Sequence, residues 1–225
     1  MANIKLKSAF FGRKQELRKL NLLLKKNSAS LVVVKGRRRI GKSRLIQEFG
    51  KDLKMISIAG LTPTDTTTLQ DELNAFGWQL GQALGQPPFK EDDWNTLFSR
   101  LANQTRQGRV LILFDEISWM GSKDPHFLGK LKNAWDQEFK NNPQLILVLC
   151  GSVSAWIEKN ILGSTGFLGR VSLNLTLEEL SLSESNEFWV KNKENISTYE
   201  KFKILSVAGG VPKYLEEIQT NLSAE

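Results

Sequence analysis

The segment "GRRRIGKS" places Gly36, Gly41, Lys42 and Ser43 in the spacing G-x-x-x-x-G-K-[ST]. That spacing suits one chemistry. Glycines let a short loop curl until successive backbone N–H groups point inward at a β-phosphate. The lysine ammonium reaches the β- and γ-phosphates, and the hydroxyl ligates Mg²⁺. The context the pattern requires is present: four apolar residues (31–34) precede the loop and an amphipathic stretch (43–49) follows it. A helix there adds the positive end of its dipole. Arg37, Arg38, Arg39 and Ile40 fill the free positions, and Arg44 follows. The three arginines have two readings, solvated surface charge or contact with a partner. The competing reading of the whole stretch is a basic cluster that binds nucleic acid.

A phosphate loop calls for a second element, an apolar strand ending in an acid that holds Mg²⁺. "RVLILFDEISWM" supplies it, with 110–114 as the strand, Asp115 as the terminal acid and Glu116 beside it. Asp115 would bind the metal directly or through water. Glu116 would orient and deprotonate the attacking water. In "LILVLCGSVSAW", a strand ending at Gly151 either brings the Ser152 hydroxyl near the γ-phosphate or simply turns. In "GSTGFLGRVSL", Arg170 follows a glycine-rich loop. It either stabilises charge on a γ-phosphate, in its own or a neighbouring subunit, or is a structural surface arginine.

Elements that could position these residues are legible from periodicity. Apolar runs at 31–34, 55–59, 110–114 and 145–149 read as buried parallel strands, and an alternating run at 170–175 as a fifth. Helical spacing marks 13–24, 43–49, 69–84 and 94–101, the last capped by Asp92 or Asp93. A further helix opens with Asp124 as cap and Pro125 at its first position, and aligns Phe127, Leu131 and Trp135. Strands alternating with helices imply a parallel sheet covered on both faces. From about residue 176 helical segments take over, so the expected division is a core over 1–175 and a small helical lid over 176–225.

Composition narrows the classes. The net charge is +7. Residues 1–44 hold fourteen Lys/Arg against Glu16 alone, and the rest hold seventeen against twenty-three acids, so the two parts carry +13 and −6. Such a basic end suits polyanions, nucleotide or nucleic acid. No apolar run reaches the ~18 residues of a membrane span. One cysteine, Cys150, excludes an internal disulfide, and a cytoplasmic location is expected. His126, the single histidine, lacks partners at metal spacing, which excludes zinc sites and His-based triads. Cys150 reads as core filler, and Trp119 and Trp156, after the motif segments, as candidates to line the site.

Four segments together, "FFGRKQELRKL", "KGRRRIGKSRLIQEF", "LFDEISWM" and "AGGVPKYLEEI", resemble the archaeal-type ATPase family, in the STAND branch of the AAA+-related P-loop ATPases. The resemblance runs from about Phe10 to Ile218. It implies an α/β P-loop NTPase fold: a three-layer core with a parallel five-stranded sheet in the order 5-1-4-3-2, then a helical lid. It implies ATP and Mg²⁺ as ligands, with Phe11, Gly12 and Arg13 beside the adenine and ribose and Pro212 closing over the base. "GSVSAW" is similar to the family's sensor segment. Family members usually continue into a winged-helix segment, whereas this sequence stops at "NLSAE", so the expectation is that either it is a truncated copy or its output is supplied by an effector domain or partner chain.

The leading expectation is Mg-dependent ATP binding with slow hydrolysis driving a conformational switch. The alternative is a nucleotide-gated nucleic-acid-binding module with little hydrolysis. A homo-oligomer, weak salt-dependent DNA binding and no membrane association complete the expected partners. A small-molecule kinase is disfavoured, because no acceptor pocket is legible.

Overall fold

The computed structural model describes residues 10–191 and 196–218. Strands β1 (Ser30–Lys35), β2 (Lys54–Ala59), β3 (Val110–Asp115), β4 (Leu145–Gly151) and β5 (Val171–Thr176) form one parallel sheet. Their order, β2-β3-β4-β1-β5, is the expected 5-1-4-3-2 read from the other edge.

Side chains alternate between the faces of a strand, and both faces are covered. Leu31, Val33, Ile112, Phe114 and Leu147 enter one apolar core, and Val32, Val34, Leu111, Leu113 and Val148 enter the other. The first core is closed by α3 (Leu69–Leu84), α4 (Trp94–Gln104) and α6 (Phe127–Gln137). Phe76 stands edge-on to Trp94 and Phe114 there, with centroids 5.4 and 5.6 Å apart, a geometry worth ~0.5–1.5 kcal/mol beyond burial. The second core is closed by α1 (Lys14–Leu23) and α2 (Lys42–Phe49) through Leu20, Leu23, Leu45 and Ile46.

Two local expectations are corrected. The run at 55–59 is not a buried strand: only Ile56 and Ile58 are buried, because β2 is an edge strand paired with β3 alone. Asp124 does not cap α6. Its carboxylate accepts the His126 N–H at 2.8 Å and the Lys130 ammonium at 3.0 Å, so it closes a turn ahead of the helix, and Pro125 belongs to that turn. For α4, Asp93 is the cap, accepting the Asn95 N–H.

After β1 the chain crosses to β2 and returns through β3 to β4, then passes over β1 to β5. The order therefore reverses between β1 and β4, which opens a crevice at their C-terminal ends, where such sheets bind ligands. The short helices α5 (Ile117–Met120) and α7 (Ser154–Ile157) follow β3 and β4 at this edge. Beyond β5 come the lid helices α8 (Leu182–Lys191), α9 (Thr198–Ala208) and α10 (Pro212–Glu217). Their core consists of Leu180, Phe188, Trp189 and Leu215 together with Phe11, whose ring centroid lies 4.3 Å from that of Phe188.

Candidate active site

The loop between β1 and α2 is shaped by glycine where nothing else fits. Gly36 has φ +150°, and a Cβ there would lie 2.5 Å from the Leu177 carbonyl oxygen. Gly41, at φ +89°, opens α2. Lys42 is buried, and its ammonium donates to the carbonyls of Gly36 at 2.9 Å and Arg37 at 3.0 Å. The cation therefore points into the bowl of the loop and away from solvent. The Ser43 hydroxyl donates to Asp115 Oδ2 at 2.5 Å, which joins the start of α2 to the end of β3. Glu116 takes a left-handed conformation, φ 50° and ψ 54°, an arrangement that costs of order 1 kcal/mol and tends to occur at functional sites. Its Oε2 accepts both the backbone N–H of Ser152 at 3.0 Å and the Ser152 hydroxyl at 2.9 Å. Behind the acids, Cys150 is buried, and burial with the neighbouring Asp115 carboxylate pushes its thiol well up, so it stays protonated. It fills the core as expected, and also touches Asp115, which nothing in its local sequence indicated.

Ser43 and Asp115 are hard oxygen donors. Mg²⁺ takes one or two such protein ligands and completes its shell with phosphate and water, so this donor set fits the ion.

Arg38, Arg39, Lys42, Ser43, Glu116 and Pro212 line a cleft of about 520 Å³. A narrower pocket beside it is lined by Phe11, Arg13, Ile40, Gly41, Arg44 and Pro212. The structure thus gathers nearly all the sequence-selected residues around one crevice. Gly12 is adjacent, at φ +66°, and its N–H faces Glu187 Oε2 at 3.4 Å. Arg13 lines the narrow pocket but is committed elsewhere. Its guanidinium donates to the Ile40 carbonyl at 3.1 Å and the Glu178 carbonyl at 2.6 Å, and its backbone N–H to Glu184 at 2.7 Å. It braces the loop against the lid connector.

The three arginines of the loop show a third behaviour, absent from both sequence readings. Arg37 pairs with Glu179 at 2.8 Å, and the other oxygen of Glu179 accepts the Gly210 N–H at 3.2 Å. Arg38 lies 5.2 Å over the Trp119 ring, and Arg39 lies 5.5 Å over Tyr214 of α10. They are ties within the chain, two of them reaching the lid. Sequence reasoning missed Glu179 and Tyr214 because their partners are distant in the chain. Trp119 sits against the site through Arg38, whereas Trp156 packs against the first core.

Arg170 is not brought to the cleft. It precedes β5, whose Val171 pairs with Leu31 and whose Thr176 pairs with Lys35. At ~3.3 Å per residue, the strand puts it ~16 Å or more from the loop that leaves β1. It stands at the opposite edge, where its guanidinium forks onto Asp136 at 2.8–3.2 Å. This removes the reading in which Arg170 serves its own chain's loop.

A family model described as an ATPase domain predominantly from Archaea matches residues 10–218. The chain belongs to this family. It is 25% identical to an uncharacterized protein of Methanocaldococcus jannaschii over 211 residues, covering 93% of this chain and 44% of that protein. The Walker-type ATPase of Pyrococcus abyssi shares the fold with a TM-score of 0.65 at 18% identity, over 92% of this chain and 65% of that one. So does a STAND protein with a tetratricopeptide repeat sensor from Pyrococcus horikoshii, with a TM-score of 0.56 at 18% identity, over 96% of this chain and 30% of that one. The chain therefore spans less than two thirds of the length of these relatives. Among the described residues, no helix is long and apolar enough to cross a membrane.

Proposed function

We propose that this archaeal-type ATPase domain binds Mg·ATP in the cleft between β1 and β4, hydrolyses it slowly, and uses the seating of the lid, residues 176–225, on the core, residues 1–175, as a conformational switch. The contact that carries the reading is the one between Ser43 and Asp115, with the Lys42 ammonium buried in the loop beside it. Loop N–H groups and Lys42 would hold the β- and γ-phosphates, and Phe11, Ile40 and Pro212 would enclose the base. Bound Mg²⁺, held by Ser43 and Asp115, would neutralise phosphate charge.

Glu116 would take a proton from water as the water oxygen attacks the γ-phosphorus and the bond to the ADP oxygen breaks. Slow turnover follows from its contacts. Two hydrogen bonds from Ser152 hold the carboxylate, so it must leave them, or share them, to orient water. Ser152 thus acts on Glu116 and has no need to touch the phosphate.

Radiolabelled ATP turnover tests this. Glu116→Gln keeps size and hydrogen bonding but cannot take the proton, so ATP should still bind while turnover falls ~10²-fold or more. Unchanged turnover would exclude Glu116 as the base. Arg170, remote from its own loop, would complete the site of a neighbouring copy. Mixing Arg170→Ala with Lys42→Ala should then restore part of the hydrolysis that each lacks alone, and no rescue would leave Arg170 a structural residue.

A further inference from the structure

The edge of the sheet opposite the nucleotide cleft collects cations without counter-charges. Lys25 and Lys26 precede β1, Lys54 begins β2, and Arg106 and Arg109 precede β3. All five are exposed, and none forms an ion pair within the described residues. Two of the five, Lys54 and Arg109, are held by backbone carbonyls. The Lys54 ammonium donates to the Gln104 carbonyl at 3.1 Å and the Arg109 guanidinium to the Leu24 carbonyl at 3.3 Å. Lys26 and Arg109 border one shallow recess with Ser28 and Gln144. Other cations of this edge differ: Lys51 pairs with Glu48, while Lys132, Lys140 and Arg170 share Asp136. Asp52, beside Lys51, is the acid near the far end of the strip. Along α1 the strip continues through Arg18 and Lys19, both exposed.

We propose that this strip binds the phosphate backbone of a nucleic-acid duplex. From β2 to β1 it crosses three strand spacings, ~14 Å, and α1 adds ~10 Å at 1.5 Å per residue. A duplex offers one phosphate charge per ~1.7 Å of its axis, so a track of this length meets many of them and gains by releasing their counterions. Asn27, Ser28, Asn103 and Gln107 are exposed among the cations and supply hydrogen bonds of the kind that hold phosphate and sugar. Among the described residues, the large aromatic side chains that are exposed, Trp78, Tyr199 and Phe202, belong to α3 and α9. The strip thus lacks the stacking platform that single strands favour, and Leu22, exposed on α1 among the cations, is a single side chain rather than the apolar face that membranes require. Contacts to the backbone position a duplex without reading its sequence. The proposal stands apart from the nucleotide reading, since it uses the opposite edge and needs no hydrolysis.

Fluorescence anisotropy of a labelled mixed-sequence duplex of about 30 bp at about 50 mM salt measures the binding. The triple variant Lys25→Gln, Lys26→Gln, Lys54→Gln should bind at least ~10-fold more weakly, and its slope of log affinity against log salt should shrink by about 2–3. The control triple Lys90→Gln, Lys123→Gln, Lys159→Gln removes the same charge from exposed positions elsewhere and should keep its affinity and slope. Thermal melts establish that both variants are folded. Absence of duplex binding by the native chain, or equal loss in both triples, would overturn the proposal. Tighter binding to oligo-dT, to vesicles rich in phosphatidylserine or to polyglutamate than to the duplex would also overturn it.

Discussion

The two ends of the sheet use the same residue types in opposite ways. At the C-terminal end, Lys35 is paired with Glu158 at 2.7 Å, Arg37 with Glu179, and Lys42 with loop carbonyls, while Arg38 and Arg39 lie over aromatic rings. Each of these cations is held before any ligand arrives, Lys35 and Lys42 buried and Arg37, Arg38 and Arg39 exposed around them. At the N-terminal end, Lys25, Lys26 and Arg106 stand in solvent without carboxylate partners among the described residues. A fixed cation recognises a compact group of defined shape. A free one contributes to a field that salt screens within ~10 Å. The basic residues 1–44 therefore supply cations to two devices, the second completed by Lys54, Arg106 and Arg109 from later in the chain, and the charge count alone merged them.

Three perturbations sharpen this contrast. The largest effect is expected from Lys42→Ala, which removes the ammonium inside the loop. ATP affinity measured by titration should fall ~10²-fold, the worth of one charge-assisted contact, whereas Lys26→Gln should leave it unchanged. Equal losses would mean that ATP responds to the general field and that the loop geometry is incidental.

A smaller effect is expected at Asp136. The Arg170 guanidinium holds its carboxyl well below the usual carboxylate range, with help from Lys132. A folded-state pKa depressed in this way contributes stability above the unfolded value of ~3.9, and the contribution is lost as pH falls below it. Asp136→Asn should therefore lower the melting temperature by a few degrees at pH 7, and the gap from the native chain should begin to narrow as pH falls below the unfolded value of ~3.9. A gap that stays constant with pH would show that the ion pair contributes nothing.

The smallest effect on stability is expected from Arg37→Ala. Its pair with Glu179 is exposed on both sides, 59% and 43%, so ~0–1 kcal/mol is at stake. The same change frees the Glu179 carboxylate that holds the Gly210 N–H, and limited proteolysis near residues 209–210 should quicken. An unchanged cleavage rate would sever the proposed link between loop and lid.

What was legible in the sequence divides by distance along the chain. The loop, the acids after β3 and the strand order follow from local patterns, apolar runs closed by Gly-Lys-Ser or Asp-Glu, and from the family resemblance. The ties of the loop arginines were not legible, since Arg37 meets Glu179 across 142 positions, and no local pattern announces such a pair. Asp124 misled because an aspartate ahead of a helix closes a turn as readily as it caps. Arg170 is a different case. A residue at the start of a parallel strand must lie at the edge away from a loop that leaves another strand's end, so its remoteness was implicit in the reading of 170–175 as a strand.

Phe11 and Arg13 carry a consequence for where this chain could be divided. A cut after Thr176 follows the change in composition, yet it would strand Phe11 without Phe188 and Arg13 without the Glu178 carbonyl. The residues before α1 and those after β5 make up one physical body built from both ends of the described chain. A fragment that ends at Thr176 but keeps the residues before α1 would expose the Phe11 ring and the buried Arg13 guanidinium at the rim of the narrow pocket. Engineering a minimal unit therefore means keeping both ends or neither.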